Sequence, residues 1–247
     1  ARATMGAVMT QIEKDLSDAK ALVPAATPAN FTDTVLNKVN IAAFQARIAL
    51  YKGDYQAAIT YATEVITSNV KPLVSGTDFE GIWTDQNANE TLFRIRYLTG
   101  ADIGSQWTTT GSLVYIAPSD KLVATYSNAD IRKSAYIGSV SGKVCVNKFF
   151  TSSRGGRVVD MKACRIAEMY LIRAEAYAKL PTPNIAAGAA DMNALRTARI
   201  TGYVNESFGS AGDLITAVLN ERFKELCFEG FRLYDLKRNN LPVQRNS

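Results

Sequence analysis

Three runs decide the fold: RIAEMYLIRAEAYAKL at 165–180, AADMNALRTAR at 189–199 and ERFKELCFEGFRLYDLKR at 221–238. In the first, Ile166, Met169, Tyr170, Ala174, Tyr177 and Ala178 recur at helical spacing, and Glu175 and Lys179 stand four apart as a favourable pair. The spacing predicts a helix over 161–180, stopped by PTPN at 181–184, and a partner helix over 185–199. Ser210, with Asp213 three residues on, predicts the cap of a further helix over 211–228, and Gly230 separates it from a last short helix over 231–238.

Outward from this array, the N-terminal part is also helical. Met5, Val8, Met9, Ile12, Leu16, Ala19 and Leu22 predict a helix over 2–22, closed by Pro24 and Pro28. NKVNIAAFQARIAL predicts a second helix over 36–50. A third, over 55–68, follows the tight connector at Gly53. Ala46, Ala58 and Ala62 are small enough to let two antiparallel helices approach closely, and Gly53, Tyr55, Ala58, Ala62 and Pro72 keep the relative spacing of a tetratricopeptide pair. Residues 185–199 complete a second pair of the same kind with the helix before them.

Residues 71–160 change character. SGTDFEGIWTDQNANE reads as a surface loop, TLFRIRYL at 91–98 and KVCVNKFF at 143–150 as strands, and TGADIGSQWTTTGS at 99–112 as a long polar loop. The expected architecture is mostly α: a tetratricopeptide-like helical platform, helical over 1–70 and 161–240, holding a loop-rich insertion with short strands over 71–160.

Composition removes several function classes. The 247 residues carry 28 basic and 23 acidic side chains for a net charge of +5, spread without the concentrated basic stripe of a nucleic-acid binder. There is no histidine, which eliminates imidazole general bases, His-dependent triads and His-ligated metals. Cys145, Cys164 and Cys227 form neither a zinc pattern nor a disulfide framework, and are expected as buried thiols, with one pair left open. No run of eighteen apolar residues occurs. The chain opens directly in helix without a signal peptide and ends soon after one, so it reads as a piece of a longer protein.

Glu221, Glu225 and Glu229 recur every four residues, and like charges at that spacing repel. Ion pairing that docks the last helices is the expectation, with Arg222, Arg232 and Arg238 nearby in sequence and Arg165 and Arg173 reaching across the fold. A carboxylate pair for glycoside hydrolysis or a divalent-cation site is the competing reading, but nothing accompanies the ladder that would clamp a substrate. No catalytic residue, metal ligand or cofactor is assigned.

Taken together, these phrases resemble the SusD/RagB family. Arg165 to Leu180 with Asp191 to Arg199 is similar to its "RLAE-YL-RAEAY…LN-LR-RA" run, and 221–238 to its "ER--EL-FEG-R--DL-R" signature. DLSDAKALVPA at 15–25, ARIALYKGDYQAAITYATEVI at 46–66 and IAPSDKLVATYSNADIRKSAYI at 116–137 fit further stretches in the same order. The resemblance implies an outer-membrane, lipid-anchored, cell-surface lipoprotein of Bacteroidetes-type bacteria. Such a protein binds glycans or other nutrients without catalysis and caps a TonB-dependent transporter, and its full length is about twice this chain.

Sugar binding of that kind uses aromatic faces and polar side chains on loops. The two tryptophans, Trp83 and Trp107, lie in polar stretches, so the expected ligand contacts are Trp83, Trp107, Gln106, Asp85, Asn87 and Tyr115. Asp78, Asn89, Thr108, Thr109 and Tyr126 stand near them. Two other readings stay open at this point: a tetratricopeptide-like protein-interaction scaffold, and a carbohydrate-processing enzyme using Asp or Glu.

Overall fold

The computed structural model describes residues 2–97, 103–107, 113–156 and 158–243. The N-terminal helix α1 (Met5–Leu22) is capped by the Thr4 hydroxyl and lies along α2 (Lys38–Lys52), with its own residues no more than half-buried. Asn37 and Asn40 form a reciprocal capping box at the start of α2. Gly53 ends α2 in the left-handed conformation (φ +84°), the turn expected of it, and Asp54 caps α3 (Tyr55–Ser68). Ala42, Ala43, Ala46, Ala58 and Ala62 are fully buried where α2, α3 and the helix Ile166–Lys179 meet.

Helix α7 (Ile166–Lys179) is the axis of the molecule. Met169, Ile172 and Ala176 face the α2–α3 side, while Ala167, Leu171, Ala174 and Ala178 face α8 (Ile185–Arg199) and α9 (Ala211–Glu225). The one-sided apolar face expected from sequence is thus too narrow, because a helix apolar on both sides is enclosed on both. Glu175 is inside as well: beside its expected partner Lys179 (2.9 Å) it takes both guanidinium nitrogens of Arg238 from α10 (Arg232–Arg238). Gly188 lets α8 lie against α7, since a Cβ there would meet Leu214 Cδ2 at 2.6 Å and the Ala174 carbonyl at 3.0 Å.

The start of the decisive run is corrected. Met161–Arg165 is not helix but strand β6, paired antiparallel with β1 (Thr91–Ile95) with Arg94 opposite Lys162 and Ile95 opposite Met161. Residues 76–83, read as loop, form helix α4 (Gly76–Trp83), which buries Phe79, Ile82 and Trp83. The rest of the middle region is built from a 3₁₀ turn (Ile103–Gln106), short helices α5 (Asp120–Val123) and α6 (Arg132–Tyr136), the hairpin β2–β3 (Ile137–Val140, Lys143–Val146) and the two-residue strands β4 (Thr151–Ser152) and β5 (Gly155–Gly156). Phe79, Ile82, Trp83, Tyr126, Tyr136, Val146, Phe149 and Cys227 make its core. All three cysteines are free and buried.

Candidate functional site

A network of buried charge joins the middle region to the helices. Glu225, at the end of α9, accepts from Arg165 Nη1 (2.9 Å), Arg132 Nη1 (3.1 Å) and Arg199 Nε and Nη2 (both 3.1 Å). Glu221 takes Arg132 (2.6 Å) and Arg196 (2.8 Å). Helix α9 stops at Glu225, so Glu229 is not on its face but in the following turn, where it accepts from Arg165 Nη2 and Nε (2.8 and 2.9 Å) and Lys148 Nζ (2.6 Å). Arg199 also clasps Glu90 through both terminal nitrogens (3.0 and 2.7 Å). Burial alone would raise the Glu225 carboxyl, but Arg199, Arg165 and Arg132 outweigh it and hold it well below the usual carboxylate range. Such a carboxylate is a permanently ionised anchor and not a proton donor.

Four of the five basic residues expected on this ladder are elsewhere, Arg238 on Glu175 among them. Arg173 is bidentate to Asp191 (2.8 and 2.7 Å) and reaches Thr63 Oγ1, because its position on α7 points it at α3 and α8. Arg232 lies over the Phe223 ring at 4.8 Å. Arg222 pairs with Asp235. The residues near in sequence therefore serve α10, while the ladder is neutralised by side chains 25 to 93 positions away, a pattern with no local signature.

A cleft that gathers three of the six expected ligand residues, Trp83, Gln106 and Trp107, borders this network at Glu229. It has a volume of about 280 Å³ and is lined by Trp83, Gln106, Trp107, Phe149, Lys162 and Phe228, together with Met161, Glu229 and Gly230. Trp107 follows the 3₁₀ turn and is half-buried, stacked on Phe149 (5.9 Å, 20°) and edge-on to Phe228 (5.3 Å). Phe228 is held in the left-handed region (φ +65°), a conformation costing about 1–3 kcal/mol for a bulky residue, and this turn brings its ring to Trp107.

Trp83 is corrected from loop to floor. It ends α4 at 2 % exposure, edge-on to Phe149 and Tyr136, with the Lys148 ammonium 4.2 Å and the Arg165 guanidinium 4.9 Å from its ring centre. The i, i+3, i+4 spacing of Phe79, Ile82 and Trp83 was the signal for this. Gln106 is exposed at the rim. Tyr115, 59 % exposed, is tied to the same turn by its backbone N–H, which donates to the Trp107 carbonyl (2.9 Å).

Asp85 and Asn87 do not join the cleft. The Asp85 carboxylate is 3 % exposed and takes Lys162, Arg154 and the Asp160 N–H, so its valences are committed inside the fold. Asn87 closes its own loop, donating to the Asp78 carbonyl (3.0 Å) and accepting from the Asn89 N–H (3.0 Å). Tyr126 is buried, donating to the Lys224 carbonyl (2.7 Å). Thr108 and Thr109 lie outside the described residues.

Burial lowers the Lys162 ammonium, with Asp85 pushing back, and burial would raise Glu229 but Arg165 and Lys148 hold it below its ordinary value. Among the described residues no group of acids or thiols could hold a metal ion, and no helix is long and apolar enough to cross a membrane.

Comparison with known proteins bears on the fold and the family. The chain matches 99 % of its length to a SusD-like carbohydrate binding protein from Bacteroides vulgatus (24 % identity, TM-score 0.80, 54 % of that chain). It matches a SusD superfamily protein from Bacteroides thetaiotaomicron over 99 % of its length (24 %, TM-score 0.79, 58 % of that chain). A laminarin binding SusD-like protein is similar over 96 % (20 %, TM-score 0.66, 62 % of that chain). The chain thus spans a little over half the length of these structures, which share its fold. No curated protein matched. The model of the SusD family matches residues 94–247, and the chain belongs to that family.

Proposed function

We propose that this chain is part of a cell-surface receptor that binds oligosaccharides or other nutrients without transforming them and passes them to a TonB-dependent outer-membrane transporter. In the whole protein a lipid anchor holds it at the outer membrane. Membership of the SusD family carries the proposal. The names of two similar structures, one carbohydrate binding and one laminarin binding, support a glycan as the ligand. Within the chain, residues 1–70 and 161–240 act as platform and 71–160 as the ligand-facing region, with Trp107, Gln106 and Tyr115 offered at the cleft and Trp83 beneath them.

Isothermal titration of the chain and of the full-length protein against a panel of oligosaccharides and peptides tests the binding. Saturable heat without any product is the expected outcome, and Trp107→Ala, which removes a large stacking surface, should weaken binding about ten-fold or more. Turnover of any glycan, or silence across the whole panel, would overturn the proposal. Co-purification with a TonB-dependent transporter from outer membranes tests the delivery step separately.

A further inference from the structure

The cleft has a chemical bias. Among the described residues that line it, two side chains are ionised, and both are already neutralised. Lys162, 2 % exposed at its side chain, sits on Asp85, and Glu229, 5 % exposed, sits between Arg165 and Lys148. Asp85, Arg165 and Lys148 do not line the cleft, so each charge is cancelled from behind. Among the described residues, what faces the cleft is aromatic and apolar surface from Trp107, Phe149, Phe228 and Met161, and the neutral amide of Gln106. One donor is left over. The buried Trp83 Nε1–H has no partner among the described residues, and Trp83 borders both this cleft and a polar hollow beside Glu80, Thr84, Ser134 and Asn147. A buried N–H without an acceptor is costly, and a ligand oxygen relieves it.

We propose that the cleft selects one uncharged sugar ring of a longer chain, packed against Trp107 and hydrogen-bonded by Gln106 and the Trp83 indole, and discriminates against uronic and sulfated sugars. The proposal rests on glycan binding by this chain. A volume of about 280 Å³ is at the small end for ligand pockets, so the remainder of an oligosaccharide runs outside. A carboxylate or sulfate brought here loses water, finds no uncommitted cation among the described residues lining the cleft and lies near the Glu229 carboxylate, and buried charge without a partner is strongly disfavoured.

The sequence has two tryptophans, so a chain labelled with 15N-tryptophan gives two indole N–H signals, assigned with Trp107→Phe. The probes are maltohexaose, laminarihexaose and mannohexaose, each beside its C6-oxidised uronate form. A neutral oligosaccharide that binds should move both indole signals, and its oxidised form should bind at least about ten-fold more weakly. Gln106→Lys, at an exposed rim position, should narrow or reverse that ratio by supplying a free cation. Equal or tighter binding of the oxidised form would overturn the selection while leaving glycan binding in place. Binding that moves neither indole signal would overturn the assignment to this cleft. If no probe binds in either form, the functional proposal fails and this one with it.

Discussion

Glu225 is held by three guanidinium groups with nothing exposed, so its charge cannot be removed without leaving them uncompensated. Removing one member of a buried ion network costs roughly 3–5 kcal/mol. Glu225→Gln should lower stability by about that amount in urea denaturation, whereas Glu206→Gln, which loses a half-exposed pair with Arg196, should cost under about 1 kcal/mol. Equal losses would mean that the network is not what stabilises the junction. Glu175 gives a pH signature. Burial raises its carboxyl, but Arg238 outweighs burial and brings it down to about 2 from an ordinary 4.5. A depressed folded-state value stabilises above the unfolded value and is lost as pH falls through the folded one. The contribution, roughly 3 kcal/mol, should therefore be whole above about pH 4.5 and disappear by about pH 2. Thermal melts across that window should fall less steeply for Glu175→Gln than for the native chain.

At the scale of elements, α8 rests on α7 through Gly188. Gly188→Ala puts a methyl group against the Ala174 carbonyl and Leu214, and overpacking of this kind costs about 1–3 kcal/mol despite the better helix propensity of alanine. A raised melting temperature would show that the helices can part at little cost. The elements also show what the sequence carries. Helices α3 and α8 were legible to the residue because Gly53, Asp54 and the 181–184 turn mark their ends chemically. Strand β6 was not, since MKACR alternates too briefly to separate from the helix that follows, and its partner β1 lies some seventy residues away. Helix α4 was hidden by Gly76, Gly81 and a polar composition that outweighed three apolar residues at helical spacing. For the cleft, residue type drew attention to Trp107 and Gln106, which line it together. Nothing local could say that Asp85 would be spent on Lys162 and Arg154, because those partners arrive only with the fold.

Across the whole molecule, Arg199 ties Glu90 in the middle region to Glu225 on α9, and Lys148 reaches from the loop core to Glu229. Both tryptophans belong to or pack against the middle region's core, while most of the helical signal comes from the platform. Indole fluorescence and far-ultraviolet circular dichroism should therefore report one coincident urea transition in the native chain. In Arg199→Leu the fluorescence transition should come first, with the helices unfolding later. Coincidence in that variant would show that apolar packing alone couples the two parts.

A closed circuit of charge also constrains how the sequence can drift. Any one of its members can be exchanged only if its counterpart changes in the same step, since the intermediate strands an ion in the interior. Gln106, which lines the cleft, and the exposed Tyr115, whose backbone joins Trp107, carry no such debt. A saturation mutagenesis screen for folded protein should find the circuit nearly immutable and the rim freely variable. One platform could then present many different cleft rims, each acquired by single substitutions without endangering the fold that displays it.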